Sequence, residues 1–280
     1  MNLLQTTRHL CSLYDINPQK KHGQNFLISD KVYSTIIEAS GLSKSDLVLE
    51  VGPGLGFLTA KLAEKVERVV AIEIDDSIFK MLKIATDALD NSNIELIHAN
   101  VLDFREAIFT GNYKVVANLP YNITSVFLRK FLSSDKPPTA LTLMLQKEVV
   151  NRILAVPGSH SLLSLSVQFY SSPELVAFVG KENFWPQPKV DSAILQIELK
   201  DKKDLIIAKE EEKLFFRLLK FGFSAKRKKL KNNLAGSLKL QVEDISKVFK
   251  SVAIKDSVRA QELSLEEWFK LFAQLRSYML

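Results

Sequence analysis

Residues 47–59 constrain what this 280-residue chain can fold into more than any other stretch. They read Leu47-Val48-Leu49-Glu50-Val51-Gly52-Pro53-Gly54-Leu55-Gly56-Phe57-Leu58-Thr59. The first five are nearly all apolar, as a parallel strand covered on both faces requires. Three glycines at alternate positions then mark a tight turn. Glycine enters unusual φ/ψ regions freely, and at Gly52 and Gly54 it lets a ligand approach bare backbone. From residue 58 to residue 66 the apolar spacing becomes helical. Strand, glycine turn and helix in that order begin a nucleotide-type αβ unit.

The glycine spacing is G-x-G-x-G. Dinucleotide sites use G-x-G-x-x-G, whose third glycine allows the close helix packing that sets a pyrophosphate at a helix N-terminus. A ligand without phosphates has no such need, so the loop favours S-adenosylmethionine over NAD. The next strand, Arg68-Val69-Val70-Ala71-Ile72-Glu73, ends on a carboxylate that can accept both ribose hydroxyls of a nucleoside. A glycine loop alone is equally a plain turn between strand and helix. Glu73 at this spacing raises the nucleoside reading above that.

The length allows one large domain with a smaller appendage, and 46% apolar residues suffice for a full core. The single Cys11 excludes an internal disulfide framework and suits a reducing compartment. It is read as a half-buried small side chain. No apolar run is long enough to span a membrane, and no signal-peptide core precedes Lys20-Lys21. Residues 1–13 are acid-free but hold one arginine, too few for a mitochondrial presequence. A cytoplasmic, monomeric protein without membrane or metal is expected. The net charge of +6 is uneven. Residues 201–280 carry 18 Lys and Arg against 11 Asp and Glu, whereas residues 1–200 carry 20 against 21. The excess points to a polyanionic partner at the C-terminal end, the alternative being a solvated helical face.

Residues 1–29 read as an N-terminal arm, with 19–27 as a lid over a cofactor. Ser29-Asp30 starts a helix carrying Val32, Ile36 and Ile37. Residues 78–89 are expected to be helical and 94–98 extended, which puts Asn100 to Asp103 at a strand's C-terminal end, where open α/β sheets bind ligands. Strands are expected at 113–117, 139–145, 163–170 and 193–199, and helices at 125–132 and 147–154. Residues 1–200 are thus an α/β domain with a parallel-dominated sheet. A charged linker, Lys200 to Asp204, follows. Residues 201–280 show only helical patterns, at 211–221, 226–234, 242–249 and 265–275, the last opened by a capping box, Ser264 to Glu267.

Asn118-Leu119-Pro120-Tyr121 closes the strand at 113–117. It is either a strand-exit turn or an amine-activating site. A purine's exocyclic amine is a poor nucleophile because its lone pair is delocalised into the ring. Two acceptors aimed at its N–H groups, the Asn118 amide oxygen and a backbone carbonyl near Pro120, would pull the nitrogen toward sp³. No strong base is needed, since the proton becomes acidic as the N–C bond forms, so catalysis is mainly positioning and dipole stabilisation. Tyr121 offers a stacking face. In Asn183-Phe184-Trp185-Pro186-Gln187-Pro188 the aromatics either plug the core, or Phe184 stacks on a flipped base opposite Tyr121. Lys226, Arg227, Lys228, Lys229 and Lys231 form the densest basic run. On a helix they would give salt-sensitive phosphate binding.

Residues 21–27, the Gly52 loop, Glu73, the Asn118 tetrapeptide, the Phe184 loop and Asn232-Asn233-Leu234 occur in the order of one family. The chain resembles the bacterial 16S ribosomal RNA adenine dimethyltransferases, from Gln19 to the stretch Arg259-Ala260-Gln261-Glu262-Leu263-Ser264. The resemblance implies a Rossmann-like class I methyltransferase sheet with a small all-α C-terminal domain that docks RNA. It also implies N6,N6-dimethylation of two neighbouring adenosines in the 3′-terminal hairpin of 16S rRNA, within the immature small subunit, and a role in its biogenesis. Cofactor positions would fall on Asn25, Leu27, Gly52, Glu73, Asn100 and Asn118. One departure stands out: the family usually has aspartate where this chain has Asn100. An asparagine carbonyl still accepts from the cofactor's adenine amine, but without charge assistance. Three alternatives accompany this reading: a large-subunit adenine methyltransferase of the macrolide-resistance type, a DNA adenine methyltransferase, and a ribosome-assembly factor whose methylation is secondary.

Overall fold

The structure, a computed structural model, describes residues 1–18, 24–88 and 93–279. The chain forms two compact units, residues 1–150 with 173–199, and residues 151–172 with 200–280. The second unit is therefore entered twice. It does not begin only at the charged linker.

In the first unit α1 (Leu3–Leu13) precedes the short β1 (Phe26–Leu27) and α2 (Asp30–Ala39). β2 (Leu47–Val51), α3 (Phe57–Ala63), β3 (Arg68–Glu73), α4 (Asp76–Ala88), β4 (Ile94–His98), β5 (Tyr113–Asn118), α5 (Thr124–Leu132) and β6 (Ala140–Gln146) follow in alternation. α6 (Lys147–Ile153) and α7 (Leu162–Tyr170) interrupt it before β7 (Ser171–Val179), the short β8 (Phe184–Trp185) and β9 (Ser192–Leu199). The main sheet has the order β4-β3-β2-β5-β6-β9-β7. β2 pairs in parallel with both β3 and β5, as do β3 with β4 and β5 with β6, while β9 runs antiparallel to β6. This is an α/β, Rossmann-like sheet. The order reverses between β2 and β5, so the crevice outside their C-terminal ends is the expected ligand position.

The core explains why the apolar runs became strands. Val48, Leu49, Val69, Val70, Val115 and Val116 are fully buried, as strands covered on both faces must be. On one side an apolar cluster joins Tyr33, Ile36, Leu58, Leu62, Met144 and Phe184. The N-terminal arm closes another, in which Cys11 and Ile16 pack with Phe26, Leu55, Ile78, Met81 and Leu82. Cys11 is buried there, more deeply than expected. Residues 19–23 of the expected lid and Leu89 lie outside the described residues.

Two expectations fail in an instructive way. Residues 163–170, read as a strand, form helix α7. Ser161 and Ser164 cap each other's turn, and Ser164, Leu165, Val167, Phe169 and Tyr170 are all buried. Its polar residues Ser164, Ser166 and Gln168 fall at alternate positions, which hides the helical period. The missing seventh strand is β7, with exposed Glu174, Leu175 and Val176 and a central Pro173–Glu174 pair that conceals any alternation.

The second unit packs α7 against α8 (Lys209–Gly222) and α11 (Leu265–Leu275), with α9 (Leu230–Leu238) and α10 (Val242–Ser251) completing it. Its centre is aromatic: the Phe169 ring lies 5.4 Å from Phe215 and 6.0 Å from Phe269, and Phe215 lies 5.5 Å from Phe272. The capping box at α11 is present, with Ser264 N–H donating to Glu267 and the Glu267 N–H donating back to the Ser264 hydroxyl. The expected helix from residue 226 starts only at Leu230, so Lys226, Arg227, Lys228 and Lys229 occupy an exposed turn between α8 and α9.

Candidate active site

At the C-terminal ends of β2, β3, β4 and β5 lies a cavity of about 280 Å³. Each strand delivers one part of its wall. β2 delivers the glycine turn, in which Gly52, Gly54 and Gly56 have φ of +66°, +57° and +82°. A Cβ at Gly54 would also come within 3.3 Å of the Phe26 ring, so a side chain there is excluded by conformation and by space alike. At Gly56, just before α3, it would come within 2.8 Å of the Leu82 side chain.

β3 delivers Glu73, which is 6% exposed. Its Oε1 accepts the N–H of Ile74 at 2.8 Å and of Asp75 at 2.9 Å, which fixes the carboxylate. Burial raises its pKa, although those N–H groups and that of Gly54 oppose the shift. Beneath it, Glu50 on β2 is 1% exposed, and its Oε2 meets no hydrogen-bond partner among the described residues. Burial pushes Glu50 up to about 8, opposed by the nearby Thr59 hydroxyl and reinforced by the Glu73 charge. Sequence reasoning missed Glu50 as a site residue. The signal was an acid inside an otherwise apolar buried strand.

β4 leads to Asn100, and β5 ends on Asn118, whose side-chain amide has no hydrogen-bond partner among the described residues. Leu119 is buried, and its N–H donates to the Met144 carbonyl at 3.3 Å. The Pro120 carbonyl accepts the Ile123 N–H at 3.2 Å. Tyr121 is half-buried, its phenol 2.9 Å from the Ser192 hydroxyl, and burial raises its pKa against that contact. Ser192 starts β9 and was not singled out in the sequence; it holds the Tyr121 ring at one edge.

All the expected cofactor positions, Asn25, Leu27, Gly52, Gly54, Glu73, Asn100 and Asn118, line this one cavity, together with Leu119, Pro120 and Tyr121. Leu27 does so with its side chain in the apolar core and its carbonyl accepting the Tyr33 phenol at 3.0 Å. Gln24 is tied to Asp75 by a 3.0 Å bond. No lysine, arginine or histidine is among the described lining residues. Nor does any group of three or more His, Cys, Asp or Glu among the described residues suit a metal.

Two expectations need correction. Phe184 does not offer a stacking face. It is 3% exposed, sits in the apolar cluster and pairs with Leu27 in the β1–β8 ladder, so it holds the cavity wall in place. Asn100 Oδ1 accepts the Leu102 N–H at 3.0 Å and keeps a second lone pair that can accept from a ligand amine. Asp103, the nearest carboxylate in sequence, is exposed and absent from the lining. Lys231 is not a free phosphate contact. It is bonded to Asp256 at 2.6 Å and to Ser246 at 3.2 Å. The other four basic residues of the run are exposed on the turn. That turn is pinned from below by Asn233, which donates to the carbonyls of Gly222 at 2.7 Å and Ala225 at 3.0 Å.

Comparison with known proteins adds the following. The model of the family described as "Ribosomal RNA adenine dimethylase" matches residues 16–277. The chain is 39% identical over 274 residues to "Ribosomal RNA small subunit methyltransferase A" of Dehalococcoides mccartyi, covering 96% of this chain and 92% of that protein. It is 36% identical to the protein of the same name from Clostridioides difficile, with 94% and 92% covered. Among solved structures it is similar to a dimethyladenosine transferase from Plasmodium falciparum, with a TM-score of 0.78, 25% identity, and coverage of 90% and 98%. The 23S rRNA methyltransferase ErmE shares the fold, with a TM-score of 0.71 at 24% identity and coverage of 90% and 100%.

Proposed function

Because the chain belongs to the ribosomal RNA adenine dimethylase family, we propose that its cavity performs N6,N6-dimethylation of two neighbouring adenosines in the 3′-terminal hairpin of 16S rRNA. The enzyme is an rRNA adenine dimethyltransferase, and S-adenosylmethionine is its methyl donor. The observation that carries the site reading is the convergence of Glu73, Asn100 and Asn118 to Tyr121 on one cavity at the sheet's reversal point.

The lining fits a nucleoside sulfonium. Two buried acids, one with an orphaned oxygen, and no basic side chain among the described lining residues suit a cationic ligand without phosphates. Glu73 Oε2 would accept a ribose hydroxyl, and the glycine turn would take the ligand against bare backbone. When bound, the sulfonium group supplies an electrophilic methyl for in-line displacement. The chain's own part is to hold the amine. The Asn118 oxygen accepts one N6–H, and a backbone carbonyl of the 119–120 turn accepts the other, which localises the lone pair toward the methyl. Tyr121, braced by Ser192, packs on the base and fixes its approach. No residue has to act as a strong base, because the proton is lost as the N–C bond forms.

Lys226, Arg227, Lys228 and Lys229 on their pinned turn bind the phosphates of the RNA. The substrate is the immature small subunit, on which the protein acts as a monomer in the cytoplasm. The test is transfer of labelled methyl to small subunits from an undermethylated strain, followed by digestion and identification of the nucleosides. Label in dimethyladenosine of the 3′ hairpin supports the proposal, and label elsewhere refutes it.

A further inference from the structure

Resting on the cavity as the cofactor site, we infer that Lys130 is a positioning residue for cofactor binding, whose ammonium clamps the turn at residues 100–104 to α5. Lys130 is half-buried and donates to the backbone carbonyls of Val101 at 3.3 Å, Leu102 at 2.9 Å and Phe104. An ammonium has three N–H donors and no acceptor, so these three bonds saturate it. A basic residue in the last turn of a helix ordinarily serves the helix dipole from the surface. Arg129, one position earlier and exposed, fits that role. Lys130 instead turns toward the loop, its ammonium 5.6 Å from the centre of the Phe131 ring.

The turn needs such a donor because its own bonds satisfy mainly its N–H groups. The Leu102 N–H goes to Asn100 Oδ1 at 3.0 Å, the Asp103 N–H to the Asn100 carbonyl at 2.9 Å and the Phe104 N–H to the Val101 carbonyl at 3.3 Å. The carbonyls of Leu102 and Phe104 are met from outside, by Lys130. Asn100 and Val101 line the cavity, so whatever fixes the turn fixes that wall. α5 is the firm end of the clamp. It continues the strand exit at 118–121: the Ile123 N–H donates to the Pro120 carbonyl at 3.2 Å, and the Phe127 N–H to the Ile123 carbonyl at 2.8 Å. Loss of the clamp therefore loosens the turn and leaves the exit held by its own ladder. Lys136 supplies the comparison. It bonds the Phe109 carbonyl, further along the same connection between β4 and β5, and neither of these two residues lines the cavity.

The test uses the full chain and three variants. Lys130→Met keeps an unbranched stem without a donor, Lys130→Arg presents a planar fork that cannot converge on three carbonyls, and Lys136→Met removes the comparison bond. S-adenosyl-L-homocysteine is titrated calorimetrically into each, and amide hydrogen exchange of residues 99–105 is followed without ligand. Lys130→Met is expected to exchange faster there and to bind roughly ten- to a hundredfold more weakly, the scale of losing hydrogen bonds to a charged group. Lys130→Arg should fall between it and the wild type, and Lys136→Met should match the wild type in both readings. In Lys130→Met the KM for S-adenosylmethionine should rise while kcat at saturation stays within about threefold, because the amine-holding exit is untouched. A looser turn with unchanged affinity overturns the inference, and so does a turn that neither Lys130 variant loosens. Equal loss of affinity in Lys136→Met also overturns it, since any weakening of the loop would then suffice. If Lys130→Met does not fold, the same two readings on Lys130→Arg decide. Failure of the wild type to bind S-adenosyl-L-homocysteine at all overturns the site reading and the inference together.

Discussion

Replacing Glu50 with glutamine tests the electrostatics of the cavity floor without altering its shape. In the folded, ligand-free protein Glu50 keeps its proton up to about pH 8, whereas an ordinary carboxyl releases it near 4.5. Between those values the native state binds one proton more than the unfolded chain, so stability falls as pH rises. The slope is about 1.4 kcal/mol per pH unit, fully present only inside that window. From about pH 5 to about pH 8 the wild type therefore loses up to about 4 kcal/mol through this group, an upper bound because buried sites relax and admit water. Glutamine neither binds nor releases a proton, so Glu50→Gln lacks this slope. The two proteins should differ little near pH 5, and the variant should gain progressively toward pH 8. The assay is urea unfolding of both proteins in ligand-free buffers at half-unit steps, following the transition of the first unit. Only the difference between the two proteins is read, which cancels the titrating groups that do not sense Glu50, and Glu73, which does, is counted with it. Parallel stability curves, offset by a constant, would refute the reasoning. They would mean that Glu50 is already ionised in the folded protein.

Glu73→Ala should weaken S-adenosylmethionine binding by about 1.5–3 kcal/mol, the range for hydrogen bonds to a charged group; unchanged affinity by calorimetry would take Glu73 out of the site. Asn118→Ala should slow single-turnover methylation at saturating cofactor by about a hundredfold to a thousandfold. Subunit binding should persist, and near-normal transfer would sink the amine-activating role. Alanine at Lys226, Arg227, Lys228 and Lys229 together should weaken subunit binding and flatten its logarithmic salt slope by up to about 3. If the slope is unchanged, the turn is merely solvated.

Much of the site was legible because its parts are local. A glycine turn after an apolar strand, an acid at the end of the next strand and an Asn-Leu-Pro-Tyr exit are each defined by neighbours in sequence, and the parallel sheet brings strand ends together without further instruction. What escaped depends on distant partners. Phe184 looks alike in sequence whether it stacks on a base or fills a core, and the antiparallel pairing with Leu27 decides for the core. Lys231 reads as one more cation until Asp256 is folded against it. The α7 error has a different cause, since alternation and full burial leave the same trace in a short apolar run.

The interrupted second unit has a consequence for how the protein is made. α7 leaves the ribosome about 100 residues before the end of α11, which helps to bury it. At usual elongation rates that interval lasts roughly 5–20 s. During it Leu165, Val167 and Phe169 have no finished pocket of their own unit to enter, and β9, which the first sheet needs beside β6, has only just emerged. Synthesis therefore passes through a stage in which a largely apolar helix waits uncovered. A shortened chain ending at residue 200 would carry that helix permanently. Isolating the first unit requires removing residues 151–172 and bridging the gap, and a stop codon after β9 yields an aggregation-prone fragment in place of a domain.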